Sequence, residues 1–182
     1  MNRACASLAA ALALWGAARA HRLDECLQAT RLKLETNRVA LRIDITPGVA
    51  VVQEFLERLD ADRDSAVSDA ERVAYGEVVL GELSLYLDGR PLQPRLDRTQ
   101  VSSMEELRAG TGSVRLSAHA EVAALPPGQH HLTLTNRHLS RISVHLVNAL
   151  QPTDPRLEIR EQVRSRDQRE YRVEFEVAGR VP

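Results

Sequence analysis

"RVALRIDIT", Arg38 to Thr46, alternates Val39, Leu41, Ile43 and Ile45 with Arg38, Ala40, Arg42 and Asp44. A period of two sends successive side chains to opposite faces, so this stretch reads as a strand with one face on a core and one in water. Just upstream, the segment from Cys26 to Leu34 is placed to pair with it through a turn at Thr36 and Asn37. Downstream, "LSLYLDGRPL" repeats the alternation with Leu83, Leu85 and Leu87. There, Asp88-Gly89 signals a hairpin, because both residues tolerate positive φ. "SVRLSAHAEV" sets Val114, Leu116, Ala118, Ala120 and Val122 against Arg115, Ser117, His119 and Glu121, until Pro126-Pro127-Gly128 breaks the pattern. "HLTLTN", "ISVHLVNAL", "RLEIREQV" and "YRVEFEVA" supply further strands. Short strands separated by turn signals predict a mainly β protein, an antiparallel β-sandwich of immunoglobulin-like layout.

The first twenty residues, "MNRACASLAAALALWGAARA", follow a different logic. Arg3 gives a basic head, Ala4 to Ala18 is apolar, and Ala18 and Ala20 are the small residues a signal peptidase reads. The apolar run, interrupted by Gly16, falls short of the roughly 20 residues needed to span a bilayer. Residues 1–20 are therefore expected to be a secretory signal peptide, with residues 21–182 forming one secreted or periplasmic domain. No lipobox precedes Cys5, and no later stretch is apolar enough to anchor the product.

Charge narrows the partners. The net formal charge is -1, and loss of Arg3 and Arg19 with the signal would take it to -3. A chain so near balance, with 3% aromatic residues, offers neither the basic stripe nor the stacking platforms of a nucleic-acid binder. Cys26 would remain as a lone cysteine, so no internal disulfide is expected. It reads as a small apolar residue buried in a strand.

Between the strand ending at Pro47-Gly48 and the one starting at Leu83 the period changes. "VAVVQEFLERL", Val49 to Leu59, spaces Val51, Val52, Phe55, Leu56 and Leu59 as a helix does. Ser68 and Glu71 have the S-x-x-E spacing of a capping box, and "DAERVAYGEVVLGEL" continues with Ala74 and Val78 expected on its apolar face. Ser103 and Glu106 repeat the box, and Gly110 is placed to close a short third helix.

The loop joining the first two helices is "DADRDSAVSDAE", Asp60 to Glu71. Three aspartates two apart repel one another unless a cation or water lies between them. In its helix-loop-helix setting, about 35 residues covering 49–83, this segment resembles an EF-hand. The resemblance implies calcium held by Asp60, Asp62 and Asp64 at loop positions one, three and five. It implies the Ala66 backbone carbonyl at seven, Ser68 at nine and a bidentate Glu71 at twelve. Val67 stands at the eighth position, where such loops carry a β-branched residue. Two features depart from the pattern: Ser65 occupies the usual glycine position, where a left-handed backbone is needed, and Arg63 adds a positive charge beside the site. A second such loop is absent from the sequence, which suits a structural site, or one that orders a partner-binding surface, more than a switch. The alternative is a solvated connector in which Asp60 ends one helix and Ser68 caps the next.

Two further readings stay open. Cleavage after Ala20 would make His21 the first residue, pairing its α-amine and imidazole as in the histidine-brace sites of exported copper carriers. By the strand alternation His119, His131 and His145 point outward, with His130 and His138 near them in sequence. Only Met104 would remain as a soft thioether ligand for copper. Separately, "AHRLDECLQATRL", "ITPG" and "HHLTLTNRHLSRISVHLVNAL" are similar to exported bacterial proteins of unassigned function related to nickel-permease accessory proteins. That likeness implies a non-catalytic adaptor domain working beside a membrane protein. No G-x-S-x-G elbow, H-E-x-x-H helix or glycine-rich phosphate loop appears, so catalysis is not expected.

Overall fold

The alternation of Arg38–Thr46 becomes the middle of a five-stranded sheet in the structure, a computed structural model that describes residues 24–179. The signal-peptide reading of residues 1–20 and the copper reading of His21 lie outside those residues. In chain order the elements are β1 (Cys26–Glu35), β2 (Arg38–Pro47), α1 (Val52–Leu59), α2 (Asp69–Gly81), β3 (Leu83–Leu87), β4 (Arg90–Leu92) and β5 (Arg95–Val101). Then follow α3 (Met104–Arg108), β6 (Val114–Glu121), β7 (Gly128–Asn136), β8 (Ser143–Ala149), β9 (Leu157–Arg164) and β10 (Glu170–Val177). The first sheet runs β5-β6-β2-β1-β8 and the second β4-β3-β7-β10-β9. The protein is a β-sandwich.

Local chemistry explains the turns. β1 and β2 pair antiparallel from Cys26↔Pro47 to Glu35↔Arg38, leaving Thr36 and Asn37 as the turn. Asp88 and Gly89 take φ of 50° and 77° between β3 and β4, the pair of positive values that a two-residue hairpin turn requires. β1 and β8 run parallel, which departs from the antiparallel expectation. The reason lies in the connection. β7 belongs to the second sheet, so the chain crosses the sandwich through residues 137–142 and enters beside β1 without a hairpin to reverse its direction.

One face of the long strands serves two covers. Leu32, Leu34, Val39, Leu41 and Ala120 pack against Leu85, Leu134, Tyr171, Val173 and Phe175 of the second sheet. Cys26, Ile43, Ile45, Val114 and Leu116, further along the same strands, pack instead against Phe55, Leu56 and Leu59 of α1, Tyr75 and Val79 of α2 and Leu107 of α3. Cys26 is a free, buried thiol, as its sequence position suggests. In α2 the buried face is Tyr75, Gly76, Val79 and Leu80, not Ala74 and Val78, which stay exposed. Gly76 decides this: a Cβ there would lie 2.6 Å from Thr99 Oγ1 and 2.7 Å from Leu96 Cδ2, so only glycine lets α2 approach β5 so closely.

A polar seam separates the two cores. Gln28 is fully buried on β1; its Nε2 donates to the His138 carbonyl at 2.7 Å and to Ser143 Oγ at 2.8 Å, and its Oε1 accepts from Asn136 Nδ2 at 3.0 Å. His138 is fully buried too, with Nδ1 2.6 Å from Glu82 Oε2 and Nε2 2.9 Å from the Tyr75 hydroxyl. The carboxylate only accepts, so Nδ1 carries the proton and Tyr75 donates to Nε2. This places α2 and the residue after it in one fixed position on the sandwich. His145, expected outward, is instead buried, because the parallel register sets it beside Gln28 and turns Val144 and Leu146 to solvent. Both its ring nitrogens lack partners. Burial first, and then the charge of Arg169, pushes its pKa down to about 4.

Two outcomes follow from the seam. Gln28→Ala strips partners from buried groups on both sides and lowers unfolding free energy by about 3 kcal/mol in urea titrations. His145 refuses a proton that the unfolded chain accepts near pH 6.5, so its contribution is complete above that pH and shrinks as pH falls toward about 4. His145→Leu therefore flattens the stability-pH curve between pH 6.5 and 4.

Candidate metal centre

α1 delivers Asp60 to the start of the loop as its C-cap, the Asp60 amide bonding the Leu56 carbonyl at 2.8 Å. The loop then folds on itself through a ladder of side chain to backbone bonds. Asp60 Oδ2 accepts from the Ser65 amide at 3.1 Å, Asp62 Oδ1 from Asp64 at 3.2 Å, and Asp64 Oδ1 from Ala66 at 2.8 Å. Each carboxylate turns the chain two to five residues ahead of it, so the aspartates hold the loop in a curl.

Glu71 closes the curl. It stands in the first turn of α2, where Ser68 caps the helix in a full capping box. Its Oε2 accepts from the Ser68 amide at 2.9 Å and hydroxyl at 2.8 Å, while Oε1 reaches back to the Ala61 amide at 2.7 Å and, more weakly, Asp62 at 3.4 Å. The Ser68 amide, then its hydroxyl, and next the Ala61 and Asp62 amides hold the Glu71 carboxyl below the usual carboxylate range.

Carboxylate oxygens of Asp60, Asp62 and Glu71 come within 4.8 Å of one another. Of the residues expected at the site, these three converge. Asp64 lies outside this carboxylate group, its Oδ1 engaged with the Ala66 amide, and the Ser68 hydroxyl bonds Glu71. Asp60 is 7% exposed, and its second oxygen, Oδ1, is buried with no hydrogen-bond partner. An ionised oxygen buried without a donor is costly, by roughly 1–3 kcal/mol or more, so a buried carboxylate is normally paired or bound to a metal. All donors here are oxygen, the chemistry of a hard divalent cation; imidazole and thiolate are absent from the cluster.

Backbone amides and packing complete the centre. Ala61 contributes only its amide, which carries no side-chain signal. Val67, Val101 and Met104 pack onto the helical core, so α3 braces the loop from behind. Ser65 and Arg63 both hold positive φ, 69° and 62°. The left-handed conformation required at Ser65 is present despite its Cβ. Two of the histidines are committed elsewhere: His119 to Asp97 at 2.7 Å, and His130 to Asp88 at 2.7 Å and the Pro126 carbonyl at 2.9 Å.

Compared with protein-family models, with curated proteins and with solved structures, the chain finds no match. The geometry of the loop has to carry the functional reading alone.

Ser65→Gly relieves the left-handed strain and leaves the Ser65 amide bond to Asp60 in place. It raises stability in chelator by up to about 1 kcal/mol, read from thermal unfolding.

Proposed function

We propose that this is an exported calcium-binding protein in which a single EF-hand-like loop, Asp60 to Glu71, holds one ion that stiffens the helix hairpin or orders a partner-binding surface. The observation that supports it most is the partnerless, buried Asp60 Oδ1 in a three-carboxylate cluster. On this reading the ion fills the vacant side of Asp60 and offsets the repulsion within the cluster. Asp62 and Glu71 supply further oxygens, and Asp64, the Ala66 carbonyl and Ser68, directly or through water, complete the shell as the loop tightens. Calcium suits the site better than magnesium, because magnesium demands near-ideal octahedral geometry and keeps its waters, whereas calcium accepts six to eight irregular oxygen ligands.

Export rests on the Arg3, Ala4–Ala18 and Ala18-x-Ala20 pattern. Outside the cell, calcium fills sites with dissociation constants of about 0.1 to 1 mM, so a site missing its glycine still functions. Among the described residues, no helix is long and apolar enough to cross a membrane.

Thermal melts test the proposal. Calcium at about a hundred times its dissociation constant raises unfolding free energy by about 2.7 kcal/mol over chelator. Asp62→Asn and Glu71→Gln each reduce that increment sharply, and Asp62→Asn leaves the capping box of α2 intact. No shift with calcium in the unmodified protein overturns the assignment. A rise with copper alone, lost on removing His21, replaces it with the copper reading.

A further inference from the structure

The outer face of the first sheet carries an arrangement unrelated to the loop. The register aligns Arg31 of β1, Arg42 of β2, Ser117 of β6 and Arg98 of β5 in one row. Adjacent strands lie about 4.8 Å apart, so the row extends roughly 14 Å. In the next row Arg115 sits beside Asp44, whose carboxylate accepts from Arg31, Arg42 and Arg115 together. Three guanidinium groups thus share one carboxylate, and Arg98 forms no ion pair among the described residues. Arg31, Arg42 and Arg115 remain 41% to 47% exposed although bonded. Toward the far end, Lys33 pairs with Glu35, and His119 and Arg38 pair with Asp97, so the excess positive charge lies in the middle.

Directly beside it the same face turns apolar. Ala29 and Leu146 continue the Asp44 row, and Leu27 pairs with Val144 in the row beyond. Leu27, Val144 and Leu146 are 38% to 45% exposed at neighbouring positions of two adjacent strands.

We propose that this face docks on an anionic phospholipid surface, its arginines on the phosphates and Leu27, Val144 and Leu146 entering the headgroup boundary. Charge complementarity chooses an anionic partner. The aliphatic side chains exposed beside the arginines choose a lipid surface, which offers phosphates and an apolar boundary side by side, over an acidic peptide. Orientation agrees. α1 and α2 pack on the inner face of this sheet, on the side opposite the arginines.

Sedimentation with lipid vesicles, run in chelator to exclude calcium bridging, tests this independently of the loop. The protein pellets with vesicles containing one part phosphatidylglycerol in about three and not with phosphatidylcholine alone, and 0.5 M salt releases it, since screening at about 4 Å leaves little attraction. Arg98→Glu, which leaves the Asp44 cluster untouched, lowers the partition coefficient about tenfold or more, with an unchanged melting temperature. Leu146→Asp lowers it as well, which a purely ionic association would resist. Equal binding to neutral vesicles, or none to anionic ones, overturns the proposal. Capture by polyglutamate that anionic vesicles fail to displace overturns it in favour of an acidic protein partner.

Discussion

The inner face of the first sheet extends beyond the sheet that packs on it, and most of the molecule's organisation answers that mismatch. β1 and β2 are ten residues each, and one face of both strands is buried from end to end. The second sheet covers Val39 and Leu41 but leaves Ile43 and Ile45 for the helices. Burial of side chains of this size contributes about 1.5–3 kcal/mol each, so an uncovered half-face would remove a large share of a domain's net stability. The helical segment between β2 and β3 is therefore the lid of a second core. Leu83, the first residue of β3, touches both cores and marks where one cover hands over to the other.

Because the lid must sit in one place, the seam beneath it is polar. A continuous apolar face would let helices slide; Gln28, Asn136, His138, Glu82 and Tyr75 instead form bonds that exist in one arrangement only. Tyr75 lies on α2 and Glu82 is its C-cap, so the network grips the second helix at two points. α1 is held by Phe55, Leu56 and Leu59, with Phe55 edge-on to Tyr75 at 5.6 Å, and touches the network only through the longer, half-exposed ion pair of Arg58 with Glu82 at 3.7 Å. The loop spans a helix gripped by buried hydrogen bonds and one held mainly by packing and exposed ion pairs.

The strands were legible because a period of two survives any reasonable tertiary context, and Val39, Leu41, Ile43 and Ile45 face inward as their spacing requires. The two capping boxes were equally plain, since Ser68 with Glu71 and Ser103 with Glu106 are purely local devices. What escaped were choices made by distant partners. α2 has apolar residues on two sides, and Val73 and Val78 remain exposed because Gly76 admits β5 on the other. β8 reads as apolar at Val144 and Leu146, yet it joins β1 in parallel and buries His145 instead. At the loop, side-chain spacing marked the carboxylates, but the amides of Ala61 and Asp62 that grip Glu71 are invisible to composition.

Three carboxylates within 4.8 Å repel one another by about 1 kcal/mol per pair in water, and by several at the effective dielectric of a protein surface. The curl nevertheless forms around them, because backbone amides point into it and because Ser65 and Arg63 accept left-handed conformations. Behind the loop the structure is close-packed. Val67 lies with Met104, Gly110 takes φ of 69° within 3.0 Å of Val49 when given a Cβ, and Gly112 leaves only 2.7 Å between such a Cβ and the Leu107 amide. The end of β2, the loop and α3 therefore constrain one another before any ion arrives. A cation entering a loop already curled gains ligands without rearranging the helices, so on the proposed reading its binding energy goes into holding α1 in place. With α2 gripped by the seam and the loop braced by α3, calcium at this site would, on that reading, act as a rivet in the lid of the second core.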